Sequence, residues 1–307
     1  MLRIFRVFGL TLLVLFSPLL VLAQQPSESP QNRLLADLSA KLSRDLNATS
    51  AADDGVMGIY VKDLTTGQTF EVDADTVFPQ ASSIKLPLLI ELMRQAQSGK
   101  LNLSERVEIH RAGLVGGSGV LQFLSDGGSA ISLHDLAVLM VVLSDNSATN
   151  LLIDRVGMDN VNSLLDSLGL HQTRLARRMI DIAAERSERE NHSTPREMGM
   201  LVEMLNAGKL LDAAHTKMTL EILEYPKESP LRAGVPDGVT VAEKPGSLNG
   251  AQCDTGIVFL ENRPYVISVM TTYNTSDGDP AITTVSRRVF SYFDRVAHSN
   301  SFGVRVR

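Results

Sequence analysis

The chain of 307 residues has one cysteine, Cys253, and no tryptophan. A lone cysteine excludes an intrachain disulfide and any cysteine-built metal site. Histidine is scarce as well. The six histidines never fall into an HExxH-like spacing, which argues against a zinc enzyme of that type. Positive charge is in deficit, with 29 Lys and Arg against 35 Asp and Glu and a net charge of −6. Nothing reads as a basic stripe, so a nucleic-acid surface is not expected. The remainder is ordinary. Hydrophobic residues at 44% and charged residues at 21% describe a globular chain, not a disordered or polytopic membrane one. The length suits one large domain or two modest ones.

The first segment stands apart. Arg3 and Arg6 precede an uncharged apolar run from Val7 to Ala23, and Val21-Leu22-Ala23 offers compact residues at the −3 and −1 positions of a cleavage site before Gln24. Residues 1–23 therefore read as a signal peptide, and the protein as periplasmic or secreted. An uncleaved anchor is the alternative, although the run is short for a membrane span and holds Gly9 and Pro18. Residues 24–30 form a polar tether.

Leu34, Leu35, Leu38, Leu42 and Leu46 recur at helical spacing. Val56 to Asp63 and Gln68 to Asp73 are strand-like, joined by a turn at Thr65-Thr66-Gly67. From Ser82 to about Leu223 the spacing is helical almost throughout. Capping boxes stand at Ser132 to Asp135 and Thr194 to Glu197, and Gly157 and Gly169 sit where helices should stop. Strand texture returns at Val239 to Glu243, Thr255 to Glu261 and Tyr265 to Tyr273, and an amphipathic helix from Val285 to Val296 closes the chain. This order predicts an α+β fold: an antiparallel sheet with its helices on one face, and a helical block inserted between the second and third strands. The α/β part is expected over residues 31–80 and 230–307, and the helical domain over 81–229. A cleft is expected at their junction.

Three short motifs fall in a fixed order. Ser82-Ser83-Ile84-Lys85 opens the helical block, and residues three apart on a helix share a face, so a Ser82 hydroxyl and a Lys85 amine come within reach of each other. A lysine held in an apolar pocket loses preference for its charged form and can act as a base. Ser144-Asp145-Asn146 lies between two apolar helical runs, where polar side chains need partners; helix capping is one use for them. Lys244-Pro245-Gly246-Ser247 follows a strand. Gly246 permits close approach of a ligand to the backbone, and an ammonium at a strand end can bind a carboxylate, although a solvated turn is the simpler use of such a sequence.

SxxK, then SDN, then a motif close to K-[ST]-G is the signature set of class A β-lactamases and penicillin-binding proteins. From about Leu34 onward the chain resembles that family, with Phe78-Pro79 before the serine and Leu143 to Leu152 around the SDN as further matches. The resemblance implies a β-lactamase-like α+β fold with a five-stranded antiparallel sheet, terminal helices and an inserted all-helical domain. It implies Ser82 as nucleophile, Lys85 as the group that takes its proton, and Ser144 as a relay towards the leaving nitrogen. Asn146 would hold Lys85 and the substrate amide, Lys244 would attract the substrate carboxylate, and Gly246 and Ser247 would border the substrate. The backbone N–H groups of Ser82 and Ser247 would form the oxyanion hole. No metal and no cofactor is expected. The partner is a small-molecule β-lactam or peptidoglycan-derived substrate, and the chain is expected to be a monomer without stable membrane association. A D-Ala–D-Ala peptidase and a non-hydrolytic receptor for β-lactams or cell-wall fragments are the alternatives.

Two departures from the pattern bear on the chemistry. Pro245 stands where the family has Thr or Ser. The segment Thr173 to Asp181 resembles the start of the family's Ω-loop and Thr194-Pro195 its exit; Met179 takes the place of the glutamate that activates the deacylating water, and Ala183 that of the asparagine after it. A thioether cannot accept a proton from water. Asp181 is the nearest replacement base and Glu185 a weaker one, a solvated loop carboxylate being the plainer reading of each. The run from Glu185 to Glu190 reads as solvated surface, Gly116 to Gly119 as a flexible loop beside the cleft, and Cys253 as a small buried hydrophobe.

Overall fold

The computed structural model describes residues 1–2 and 30–306. The expected signal peptide and tether lie almost wholly outside the described residues. Among the described residues no helix is long and apolar enough to cross a membrane.

The first helix, α1 (Pro30–Ala51), leads into the hairpin β1 (Val56–Asp63) and β2 (Thr69–Val72). A two-residue strand β3 (Phe78–Pro79) then precedes α2 (Lys85–Gln97), the short pair β4 (Arg106–Glu108) and β5 (Ala130–Ser132), and the helices α3 (Leu133–Val142), α4 (Asn146–Val156), α5 (Met158–Ser167) and α6 (Ile182–Arg186). After β6 (His192–Ser193) come α7 (Pro195–Asn206), α8 (Ala213–Glu224) and α9 (Pro230–Ala233). The chain closes with β7 (Val241–Leu248), β8 (Ala251–Val258), β9 (Tyr265–Thr272) and α10 (Asp279–Ala297). Both helix N-caps form: Ser132 accepts from the Asp135 N–H, and Thr194 from the Glu197 N–H with Pro195 at the first helical position.

The main sheet is antiparallel in the order β2-β1-β9-β8-β7, so the first and last parts of the chain share one sheet. The sequence reading put its helices on one face; the structure covers both. Tyr265, Ile267 and Val269 of β9 join a core with α1 and α10, while Val266 and Met270 join a second core with the helical block. Apolar residues on both sides of β8 and β9 require this, because each face must exclude water. The second face admits α7 closely: a Cβ on Gly58 would lie 2.8 Å from Pro195 and 2.6 Å from the Phe78 ring.

The strand pairs β3–β6 and β4–β5 interrupt what the sequence suggested was purely helical. The first matters for function. It ties the residues just before Ser82 to the exit of the Ω-loop, pairing Phe78 with Ser193 and Pro79 with His192. The other difference is β7, which runs on through Pro245 to Leu248 instead of stopping at Glu243. Pro245 is tolerated because β7 is an edge strand of the sheet, where a missing N–H need not cost a ladder hydrogen bond.

Candidate active site

Ser82 does not lie on α2 itself. It sits in a single 3₁₀ turn, Ala81–Ile84, that runs directly into that helix. The turn is entered through Ala81 in a left-handed conformation at φ 44°, unusual for a residue with a Cβ. Lys85 begins α2, fully buried, and its Nζ lies 2.9 Å from Ser82 Oγ, 3.0 Å from Asn146 Oδ1, 3.1 Å from Ser144 Oγ and 2.7 Å from the Ser144 carbonyl. Burial, followed by the charge of nearby Lys244, holds the Lys85 ammonium well below its ordinary pKa, with Asp145 opposing. An amine with this weakened hold on its proton, 2.9 Å from the hydroxyl, is placed where a base for Ser82 would stand.

Ser144 also takes up a left-handed conformation, φ 51°, one residue ahead of the Asp145 N-cap of α4. Its Oγ is the meeting point of two lysines, since Lys244 Nζ lies 3.2 Å away and Lys85 Nζ 3.1 Å away. Asp145 points away from the cleft. It caps α4 through Ala148 N–H and accepts the N–H groups of Val120 and Leu121 at 2.7 and 2.9 Å. This clamps the glycine-rich loop against the motif: the Asn146 N–H donates to Ser118 O, and Asn146 Nδ2 donates to Gly116 O. A Cβ on Gly119 would come within 2.2 Å of Asp145. The loop expected to be flexible borders the cleft as foreseen, but it is fastened to the residues it faces.

Lys244 lies in the middle of β7 and is buried, donating to Pro245 O at 2.8 Å as well as to Ser144. Burial pushes it down to about 8, with Asp254 pulling the other way. The close approach at Gly246 is made by the Ser82 turn and not by a ligand: a Cβ there would lie 2.7 Å from the backbone nitrogens of both Ser82 and Ser83. Gly246→Ala should therefore force the turn off the strand and cost about 1–3 kcal/mol of stability, read as a lower urea midpoint together with slower labelling of Ser82. Cys253 is buried beneath the same turn, its Sγ 3.0 Å from Gln80 O, and burial pushes the thiol up to about 12. It is inert packing, as the sequence suggested.

Two hollows meet at Ser82. The larger, about 560 Å³, is bordered by Ser144, Lys244 and Ser247; the smaller, about 200 Å³, by Asn146, Met179, Ile180 and Glu190, with Ser82, Ser118 and Ser247 common to both. Met179 is thus at the cleft, buried, with its backbone pinned on both sides by the Asn150 amide. Asp181 borders neither hollow. Its carboxylate caps α6, accepting the Ala184 N–H at 2.9 Å.

The sequence profile of the beta-lactamase enzyme family matches residues 41–293. The chain belongs to that family. An imipenem-hydrolyzing beta-lactamase of Enterobacter cloacae is 30% identical over 76% of this chain and 83% of its own length. Among solved structures, a variant of PBP-A captured as an acyl-enzyme complex with penicillin G is 28% identical, with a TM-score of 0.77 over 83% of this chain and 97% of that one. An ancestral class A beta-lactamase matches at 28% identity and a TM-score of 0.76, over 82% of this chain and 100% of that one. The protein is a class A serine β-lactamase-like hydrolase.

In this β-lactamase relative, Ser82, Ser144, Asn146, Lys244, Gly246 and Ser247 border the cleft, with Lys85 buried and in contact with Ser82. Asp181 does not join them, because the start of α6 claims its carboxylate. The residue that sequence reasoning missed is Glu190. It is no part of a solvated run: it borders the smaller hollow and grips buried Arg177 through two hydrogen bonds of 3.0 Å, closing the Ω-loop. The Arg177–Glu190 separation of thirteen residues carries no local signal, and only the fold of the loop back on itself brings the pair together.

Proposed function

We propose that the protein is an exported serine hydrolase that opens β-lactam amides through an acyl-enzyme on Ser82, and that hydrolysis of this ester is its slow step. The observation that carries the reading is the 2.9 Å contact between Ser82 Oγ and the buried Lys85 amine. Lys85 takes the hydroxyl proton as Oγ attacks the amide carbon. Backbone N–H groups of Ser82 and Ser247 receive the developing oxyanion. As the C–N bond breaks, Ser144, in contact with both lysines, passes a proton to the leaving nitrogen and is reprotonated from Lys85. Water then cleaves the ester. The test is steady-state hydrolysis of a chromogenic cephalosporin by the protein lacking residues 1–23. Repeated turnover supports the reading, and the absence of any acylation overturns it.

A second reading is favoured by Met179 at the cleft: a D-Ala–D-Ala peptidase, in which the acyl group passes from Ser82 to water or an amine that the Ω-loop does not activate, and Ser82 regains its proton. Release of D-alanine from a peptide ending in D-Ala–D-Ala, outpacing β-lactam turnover, would select it.

Lys244 supplies a separate prediction. Its positive charge is the partner for the substrate carboxylate, so Lys244→Ala should lower kcat/KM for carboxylate-bearing substrates about 10–100-fold more than for neutral esters. The pH profile follows with a definite sign. Because burial depresses this lysine to about 8, the charge is present below that pH and is lost as pH rises through it. Thus kcat/KM for carboxylate substrates should fall above pH 8 while that for neutral esters does not. Parallel falls for both would make Lys244 structural or a proton carrier.

A further inference from the structure

The larger hollow holds two carboxylates that the reaction above leaves unused. Glu228, just ahead of α9, and Asp279, the first residue of α10, border it together with Ser82, Ser144 and Lys244. Among the described residues neither carboxylate is in a salt bridge. The cations close to this wall are committed elsewhere: Lys227 and Arg232 both hold the buried Glu243, at 3.3 and 2.9 Å. Lys244, buried at the base of the hollow, donates to Ser144 and Pro245 O and keeps one N–H for a ligand. Charge in this hollow is therefore one cation at the base and two free carboxylates on the rim.

Ser144 serves the leaving nitrogen, so this is the side on which the departing part of the substrate lies. The smaller hollow, beside Asn146 and Met179, takes the acyl part, and its own charges, Arg177 and Glu190, neutralise each other. A carboxylate next to the scissile amide can pair with Lys244, but any further charge carried by the leaving portion reaches Glu228 and Asp279. An additional anion there is repelled and a cation attracted.

We propose that Glu228 and Asp279 are specificity-determining residues that select substrates whose leaving portion carries a positive charge in addition to its carboxylate. The inference rests on the proposed reaction only for which side of Ser82 the leaving group occupies. The probes are two cephalosporins with the same acyl side chain, one bearing a 3′-pyridinium group and the other a neutral 3′-acetoxy group. Their Kd values are measured by calorimetry on Ser82→Ala protein, which cannot be acylated. At low salt the pyridinium compound should bind about 3–10-fold more tightly. Combining Glu228→Gln and Asp279→Asn with Ser82→Ala should bring the ratio close to one, with Glu228→Gln alone giving part of the fall, and 1 M salt should act likewise. Equal Kd values before those substitutions, or a preference that survives them, overturns the proposal. Wild-type protein that is never acylated would instead overturn the hydrolase reading and leave this binding ratio as it is.

Discussion

Ser82→Ala is expected to abolish covalent labelling by penicillin and to lower turnover on the order of 10⁶-fold, the scale reached when an activated serine is removed from a hydrolase. Ser83, its neighbour, cannot substitute. Its hydroxyl is buried and turned away from Lys85, 2.8 Å from Gln80 O and 3.1 Å from Cys253 Sγ, while Ser82 Oγ faces the amine. Lys85→Ala should leave Ser82 in place but remove its base, slowing acylation about 10²–10⁴-fold. Mass spectrometry of a tryptic digest after brief exposure to penicillin locates the adduct. A label that persists in Ser82→Ala would show that another nucleophile does the work.

The second large effect concerns the ester. General-base help in activating water is typically worth ~10²–10⁴-fold, and the Ω-loop side of the cleft presents Met179 where that help would originate. Glu190 is the carboxylate bordering the same hollow, yet its oxygens are already engaged by the Arg177 guanidinium and the Asn191 N–H. Turnover should accordingly show a burst followed by a slow steady rate. Met179→Glu should speed the slow phase by about 10²-fold or more, because this side chain already lies at the cleft and its backbone is fixed by Asn150. Asp181→Asn should leave the acyl-enzyme lifetime within about twofold, since asparagine caps a helix as well as aspartate does. A long-lived adduct unaffected by Met179→Glu would mean that the loop turns position 179 away from the water. A lifetime lengthened tenfold by Asp181→Asn would give Asp181 a catalytic role that its geometry does not suggest.

Where the sequence reading succeeded, the information was local or periodic. Serine and lysine three apart at a helix start share a face in any helix. Helix N-caps are satisfied within four residues, which is why the Ser132 and Thr194 hydroxyls cap as expected. The order of the three motifs carried the family resemblance and, with it, the fold class. The differences are of two kinds, a helix start the sequence did not signal and the place of a strand in its sheet. Asp181 looked available as a base because nothing in a linear chain shows that α6 starts beside it. Pro245 looked like the end of a strand because an edge strand and a central one read alike until the sheet is assembled.

By itself the sequence determined which chemistry this protein carries: a serine beside an amine, a Ser-Asp-Asn step, a second lysine, and a methionine in place of a loop glutamate. These follow from side-chain identity and short-range geometry. The tertiary structure decided which of these groups touch and in what state. Ser144 meets Lys85 from 59 residues away and Lys244 from 100, and Glu190 closes on Arg177. The same assembly takes both lysines out of water and so lowers their hold on a proton. Burial and long-range charge are properties of the packed chain, which is why no reading of the residues in order could supply them.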